Sequence, residues 1–455
     1  MVRRTDGSRL AAVAVLALAL FAGCSTVPPL PQPTTSAVAG PTASASAPAT
    51  PSPQPDPTPE PTPAAIPDGD VLAKQLGRVS RSGIEATGLV VMNPATGEVL
   101  TSRGDDPLVP ASTMKVMTSL AAVDTLGDRA TFATTVVSPA KGRLVLVGGG
   151  DPMLTDKQSK SAAKQASLQA LATQTVAALK ESGTTSVRLG YDATLFSGPA
   201  YHPSWKTAWQ GYTARVAALT INGARASQWS VHRDPARTAA EAFAARLKAA
   251  GIKVTAIKPQ TAKRGAPVLA EVRSAPLADI VGHTLRISDN FAAEVLARHV
   301  ALGTGRKGSF AAASEAVTAW LKDHDLWASG MVIDDGSGLS GKSRLRPSVL
   351  ARALSLVLVT PAWSAVAKGL PVAGVDGTLK DRFDDKAEKA GRSVVHAKTG
   401  TLLGVASLAG YVTTADGAVL TFALMANRAV GRDTAYNWLD RTASVLATCG
   451  CRAAG

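Results

Sequence analysis

Pro110-Ala-Ser-Thr-Met-Lys115 opens a helical stretch running to about Leu126, which Gly127 stops. Proline and a small hydroxyl residue at the start and glycine at the end are the signals of a helix. Ser112 and Lys115 stand three residues apart on it, so one face carries both. A hydroxyl then lies beside an amine, at the end of the helix whose dipole favours developing negative charge. A neutral amine there takes the hydroxyl proton and makes the oxygen a nucleophile. The spacing alone is weak. Ser138–Lys141 and Ser161–Lys164 repeat it, the first with Pro139 between two strands, the second on a polar helix. Taken by itself, Ser112 reads first as the cap of an ordinary helix.

Two further triplets change the reading. Ser288-Asp-Asn290 opens a second helix, expected to run on to His299. Its residues suit a cap, and they also offer a hydroxyl for proton relay and an amide to hold a substrate backbone. Lys398-Thr-Gly400, followed by Thr401, ends an extended segment. A cation there holds a substrate carboxylate, and the glycine lets a substrate strand lie close. In this order the three triplets match the signature set of penicillin-binding proteins and class A β-lactamases.

The long stretch between Ser112 and Ser288 resembles the D-alanyl-D-alanine carboxypeptidase/endopeptidase family, the class C low-molecular-mass penicillin-binding proteins, which carry an insertion there. Leu146-Val-Gly-Gly-Gly-Asp-Pro-Met-Leu154, Asp335-Gly-Ser-Gly-Leu-Ser340 and Pro371-Val-Ala-Gly-Val-Asp-Gly-Thr-Leu379 are similar to that family as well. The resemblance covers roughly Gly88 to Arg428. It implies that Ser112 is acylated and that Lys115 is its general base. Ser288 and Asn290 serve proton transfer and substrate positioning. Lys398 and Thr399 hold the terminal carboxylate, Gly400 lines the substrate strand, and the backbone N–H groups of Ser112 and Thr401 form the oxyanion hole. For Lys115 to act as a base near neutrality, burial and the charge of Lys398 must lower its pKa. The implied substrates are peptidoglycan peptides ending in D-Ala-D-Ala, with β-lactam antibiotics as covalent inhibitors. The rivals are a β-lactamase, disfavoured because no Glu-x-x-Leu-Asn loop is found, and a wall-binding or β-lactam-sensing module with weak catalysis.

The N-terminus sets the compartment. Arg3, Arg4 and Arg9 precede an apolar run, Leu10 to Phe21, and then Ala22-Gly-Cys24. The run is too short for an ordinary membrane span and reads as a signal peptide, residues 1–24. Leu20-Phe-Ala-Gly-Cys24 resembles a lipobox, which makes Cys24 a lipid anchor and the protein extracytoplasmic, tethered to the membrane and facing the wall. Residues 25–67 are mostly Pro, Thr, Ser and Ala and bury too little to fold. Extended, a linker of this length reaches on the order of 100 Å.

The formal charge of +14 suits acidic partners such as anionic wall polymer, but it is diffuse. Aromatic residues make up 4% of the chain, which argues against a base-stacking nucleic-acid surface. Six scattered histidines form no metal-ligand pattern, and Gly148-Gly-Gly150 lacks the Lys-Ser/Thr of a phosphate loop. No metal or cofactor is expected. Cys449 and Cys451 either pair with each other or remain thiols.

The expected fold is α/β (α+β), a penicillin-binding transpeptidase-like domain with an antiparallel sheet flanked by helices. Segments 68–152 and 276–455 build the catalytic domain, and 153–275 is an inserted α/β module. The strands near Val90, Leu408 and Leu420 should be neighbours.

Overall fold

The computed structural model describes residues 65–158, 165–227 and 230–449. The expected signal peptide 1–24 with Cys24, nearly all of the linker, Ser161, Lys164 and Cys451 lie outside the described residues.

In chain order the strands are β1 (Ile84–Met92), β2 (Val99–Arg103), β3 (Ala133–Ala140), β4 (Arg143–Val147), β5 (Ser186–Asp192), β6 (Arg225–Ser227), β7 (Ser230–Val231), β8 (Lys253–Pro259), β9 (Val268–Arg273), β10 (Val395–Leu402), β11 (Val405–Thr413) and β12 (Val419–Ala429). The helices are α1 (Gly69–Gly77), α2 (Met114–Leu126), α3 (Leu168–Glu181), α4 (Pro235–Ala249), α5 (Leu277–Arg286), α6 (Asn290–Gly303), α7 (Phe310–Asp323), α8 (Pro347–Val359), α9 (Ser364–Gly369) and α10 (Arg432–Thr448).

One sheet has the order β10-β11-β12-β1-β2 and is antiparallel throughout. Leu89 faces Leu424 and Leu408 faces Leu424 from the other side, so the strands near Val90, Leu408 and Leu420 are indeed neighbours. Successive side chains of a strand point to opposite faces. Here both faces are covered, which is why Leu420 to Ala426 is buried throughout and apolar but for Thr421. Leu420, Phe422 and Leu424 pack with Leu439 and Leu446 of α10. Ala423 and Ala409 pack with α2, α5, α6 and α8 through Met117, Ile280, Leu296 and Leu350.

The second sheet has the order β8-β5-β4-β3-β9. Its β4–β5 and β5–β8 pairs are parallel, with α3 and α4 in the crossovers, as parallel pairing requires. This corrects the expected module boundary. β3 and β4, placed with the catalytic segment 68–152, pair with β9 and β5 instead, so the module sheet starts at Ala133 and not at 153. Gly148 to Gly150 turn the chain at the junction. A Cβ on Gly149 would lie 1.9 Å from Ala133 O, and Gly150 has φ 76 with His299 Nε2 2.5 Å from where its Cβ would be. The glycines serve close chain crossing.

A third cluster joins module to helices: Trp205, Val216 and Ala218 pack with Phe291, Phe310 and Leu339. The helix expected to open at Ser288-Asp-Asn290 and run to His299 is α6, which continues to Gly303. α5 ends at Arg286, and Ser288 takes the left-handed φ of 59° before α6 begins. At the C-terminus Cys449 is disulfide-bonded.

Candidate active site

Ser112 sits in a single tight turn, Ala111–Thr113, that leads into α2. Ala111 has φ 47, an unusual value for a residue with a Cβ. The turn is held from outside. A Cβ on Gly338 would lie 1.8 Å from Ala111 O, and one on Gly400 would lie 2.7 Å from Pro110 O and 3.0 Å from Ser112 N. Gly400 therefore lets β10 close onto the Ser112 turn. Ser407 Oγ, on the neighbouring strand, donates to Pro110 O at 2.6 Å.

Lys115 is fully buried. Its Nζ lies 2.8 Å from Ser112 Oγ, 2.6 Å from Asn290 Oδ1 and 2.7 Å from Ser337 O. The last two are acceptors only, so two N–H bonds point at them. The remaining tetrahedral position faces the Ser112 hydroxyl, and in the neutral amine it is a lone pair. Burial brings the Lys115 pKa down to about 8, against the opposing pull of Asp335, Glu294 and Asp289. The lowering expected from Lys398 is not among its causes.

Asn290 is the first residue of α6, capped by Asp289, whose carboxylate accepts from Ala292 N at 3.0 Å. Asp289 also meets His283 Nε2 at 2.9 Å, and with that partner its carboxyl lies below the usual range in spite of burial. Asn290 Nδ2 donates to Tyr212 O at 2.9 Å, so the module supplies a contact to the site. Ser288 is half-buried on the chain just before this helix. The three partners of Lys115 named above do not include it.

Lys398 faces the same side as its cross-strand partner Ala409, toward α2. It is fully buried, and its Nζ donates to Thr399 O at 2.8 Å. Burial, and then the charge of Lys115, hold its pKa well below the usual lysine value. Thr399 Oγ1 is 2.7 Å from Thr378 Oγ1, and Thr401 Oγ1 is 2.6 Å from the Tyr436 hydroxyl. The Lys-Thr-Gly triplet lies inside β10 and does not end it, because β11 continues the pairing through Thr401 and Leu402.

Ser112, Asn290 and Thr401 line a cavity of about 690 Å³, together with Trp209 and Tyr212 of the module and with Leu403 and Val430. Ser138 is elsewhere, on β3.

Reading the sequence missed the loop behind Lys115. Asp335 accepts from Gly338 N at 2.9 Å, Ser340 N at 2.7 Å and Trp205 Nε1 at 2.8 Å. Glu294 accepts from Ser337 N at 2.8 Å. The run Asp335-Gly-Ser-Gly-Leu-Ser340 was the available signal: two glycines between hydroxyl residues mark a backbone needed at close quarters.

A helix bearing Ser-x-x-Lys, packed under a five-stranded antiparallel sheet whose edge strand carries Lys-Thr-Gly, is the penicillin-binding enzyme fold. Within it the chain belongs to the D-Ala-D-Ala carboxypeptidase 3 (S13) family, whose model matches residues 71–230 and 222–448. A carboxypeptidase of Mycobacterium tuberculosis is 36% identical over 377 residues, 79% of this chain and 80% of its own. Carboxypeptidase DacB of Mycolicibacterium smegmatis is 34% identical over 467 residues, 98% of this chain and 96% of its own. The crystal structure of penicillin-binding protein 4 (DacB) from Haemophilus influenzae covers 83% of this chain and 98% of its own at a TM-score of 0.68 and 22% identity, a likeness of fold.

Proposed function

We propose that this enzyme hydrolyses the D-Ala-D-Ala bond of peptidoglycan peptides through an acyl-enzyme on Ser112. The observation that carries the reading is the Lys115 amine, buried, with two N–H bonds engaged by Asn290 Oδ1 and Ser337 O and its third position 2.8 Å from Ser112 Oγ. Ser112 Oγ attacks the carbonyl carbon of the penultimate D-alanine while its proton passes to Lys115 Nζ. The carbonyl oxygen takes up negative charge beside the N–H groups of Ser112 and Thr401. The C–N bond then breaks, and the proton returns from Lys115, relayed by Ser288, to the departing D-alanine nitrogen. Water attacks the ester in the reverse sense, giving the shortened peptide and free Ser112. Asn290 positions the substrate backbone. Lys398 and Thr399 hold the terminal carboxylate, and a carboxylate brought to Lys398 restores its charge. No metal or cofactor enters these steps.

A β-lactam enters as a mimic of acyl-D-Ala-D-Ala and stays on Ser112. Incubating the purified protein with a D-Ala-D-Ala peptide and with penicillin tests the reading. D-alanine release and stoichiometric labelling of Ser112 are expected. Rapid penicillin turnover without a stable label would make it a β-lactamase, and neither activity would leave a wall-binding module. The apolar run ending at Cys24 and the proline-rich stretch after it support a lipid-anchored, extracytoplasmic enzyme facing the wall. A mature N-terminus mapped downstream of Cys24 would refute the anchor. The open cavity beside Ser112 supports action on cross-linked peptides as well, which mass spectrometry of products from intact cross-linked muropeptides decides.

A further inference from the structure

This inference rests on Ser112 and Lys115 being nucleophile and base. The amine is aimed by two acceptors. Asn290 Oδ1 is a side chain at the head of α6. Ser337 O is a backbone carbonyl, placed only as well as its peptide group is held. That carbonyl's own peptide, Ser337–Gly338, is held by Asp335 Oδ1, which accepts from Gly338 N at 2.9 Å, and two further side chains hold the peptide just before it, Gly336–Ser337. Glu294 lies four residues beyond Asn290, on the same face of α6, and is 1% exposed. Its Oε1 accepts from Ser337 N at 2.8 Å and its Oε2 from Gly336 N at 3.3 Å. From the opposite side Thr118, one turn beyond Lys115 on α2, donates its hydroxyl to Gly336 O at 2.6 Å. The loop is pressed onto α6: a Cβ on Gly336 would come 2.6 Å from Ala297 Cβ.

We propose that Glu294 is a positioning residue for the reaction: through the amides of Gly336 and Ser337 it sets the Ser337 carbonyl, and so the direction in which Lys115 presents its nitrogen to Ser112. One face of α6 then fixes both acceptors, Asn290 directly and Ser337 through Glu294. Charge matters as well as shape. An ionised carboxylate accepts from both amides, whereas a protonated oxygen turns a donor toward a donor. The groups facing Glu294 are Asp335 in the same loop, Arg298 one turn on along α6, and Lys115 on α2. Burial, with the nearby Asp335, raises the Glu294 carboxyl to about 7. Its negative charge in turn raises the pKa of Lys115.

The test follows penicillin acylation of the full chain across pH, with thermal melting as a check on folding. Glu294→Gln keeps the size and one acceptor but loses the charge. Acylation should slow by about tenfold to a hundredfold, the cost of a misplaced reacting group. The acid limb of the profile should also move to lower pH, because an ammonium without its anion deprotonates more readily. Glu294→Asp keeps the charge but is one methylene short of the amides. It should lose rate with the limb in place. Thr118→Val, isosteric, loosens the same peptide from α2 and carries the decision should the Glu294 variants fail to fold; a drop of about fivefold or more is expected, and an unchanged rate overturns the proposal. Rates within about twofold of the parent in folded Glu294 variants, or equal losses with no displacement of the limb, also overturn it. A parental label on a residue other than Ser112 removes the functional reading and this proposal together, whereas a label on Ser112 with unaffected Glu294 variants removes this proposal alone.

Discussion

Ser112 and Ser138 each stand three residues ahead of a lysine, and the two surroundings share little else. Ser112 lies in a helical turn, and its lysine reaches back along α2 to within 2.8 Å. Ser138 lies in an extended strand, where its hydroxyl meets Ala140 O at 3.4 Å and Arg143 O at 3.3 Å. Lys141 sits in the exposed turn after β3. A lysine in water keeps its proton and is no base. At Ser112 the difference is supplied from far along the chain: burial beneath the sheet, an amide oxygen from α6 and a carbonyl from the loop after α7. The same triplet is a buried, aimed pair in one region and surface in the other because of what the rest of the molecule brings to it.

The largest expected effect breaks or upholds that contrast outright. Ser112→Ala should abolish penicillin labelling and slow D-alanine release by a factor on the order of 10⁶, whereas Ser138→Ala should leave both unaltered. A label found on Ser138 by peptide mapping would end the comparison. Lys115→Ala should cost nearly as much, since nucleophile and base act as a unit, and Lys141→Ala should cost nothing measurable in the same D-alanine release assay. Asn290→Ala removes one aiming acceptor and should lower the acylation rate by about a hundredfold. Lys398→Ala should raise KM for the carboxylate-ended peptide by tenfold or more while melting temperature and circular dichroism stay close to the parent; a charge-assisted bond of about 1.5–3 kcal/mol sets that scale. The smallest effect is graded. Because Lys115 works as the neutral amine and its pKa is lowered to about 8, acylation should rise with pH through about 8 and fall roughly tenfold for each pH unit below it. A flat rate from neutral to alkaline pH would show that Lys115 is already neutral and that the contrast with Lys141 is larger still.

Much of this was legible in the residues. The helix after Pro110 and its stop at Gly127 follow from local signals, and Gly127 indeed takes φ 82. The strands around Asn93–Gly97 and around Asp416-Gly417 follow from apolar runs interrupted by turn residues. The three triplets marked the sides of the site. What failed did so for tertiary reasons. β3 and β4 carry no local mark of which sheet they join, because a strand pairs with whatever edge the chain delivers. The left-handed backbone of Ser288 is not marked by its residue type, although the helix start that follows it is. Gly400 looked like room for a substrate, and a Cβ there would meet Ser407 Oγ at 2.1 Å and the Ser112 turn just beyond it. Ser337 escaped notice because its contribution is a backbone oxygen, which every residue possesses. Glu294 reads as one more polar position on a helix until the loop that it grips is placed.

The two halves of the site are made at opposite ends of synthesis. Val109, just before the Ser112 turn, exchanges hydrogen bonds with the Asn427 side chain, 318 residues away, and β1 pairs with β12. Contacts of such separation form slowly and late. The nascent chain therefore carries Ser112 and Lys115 for most of its length without the strands that close over them. Lys115 at that stage lacks the cover of the sheet, and until residues 290 and 337 have followed it lacks the amide and the carbonyl that turn it. On the proposed mechanism the site is complete only when the last hairpin, β11 and β12, lies between β1 and β10, and a chain that loses its C-terminal strands is expected to be inert.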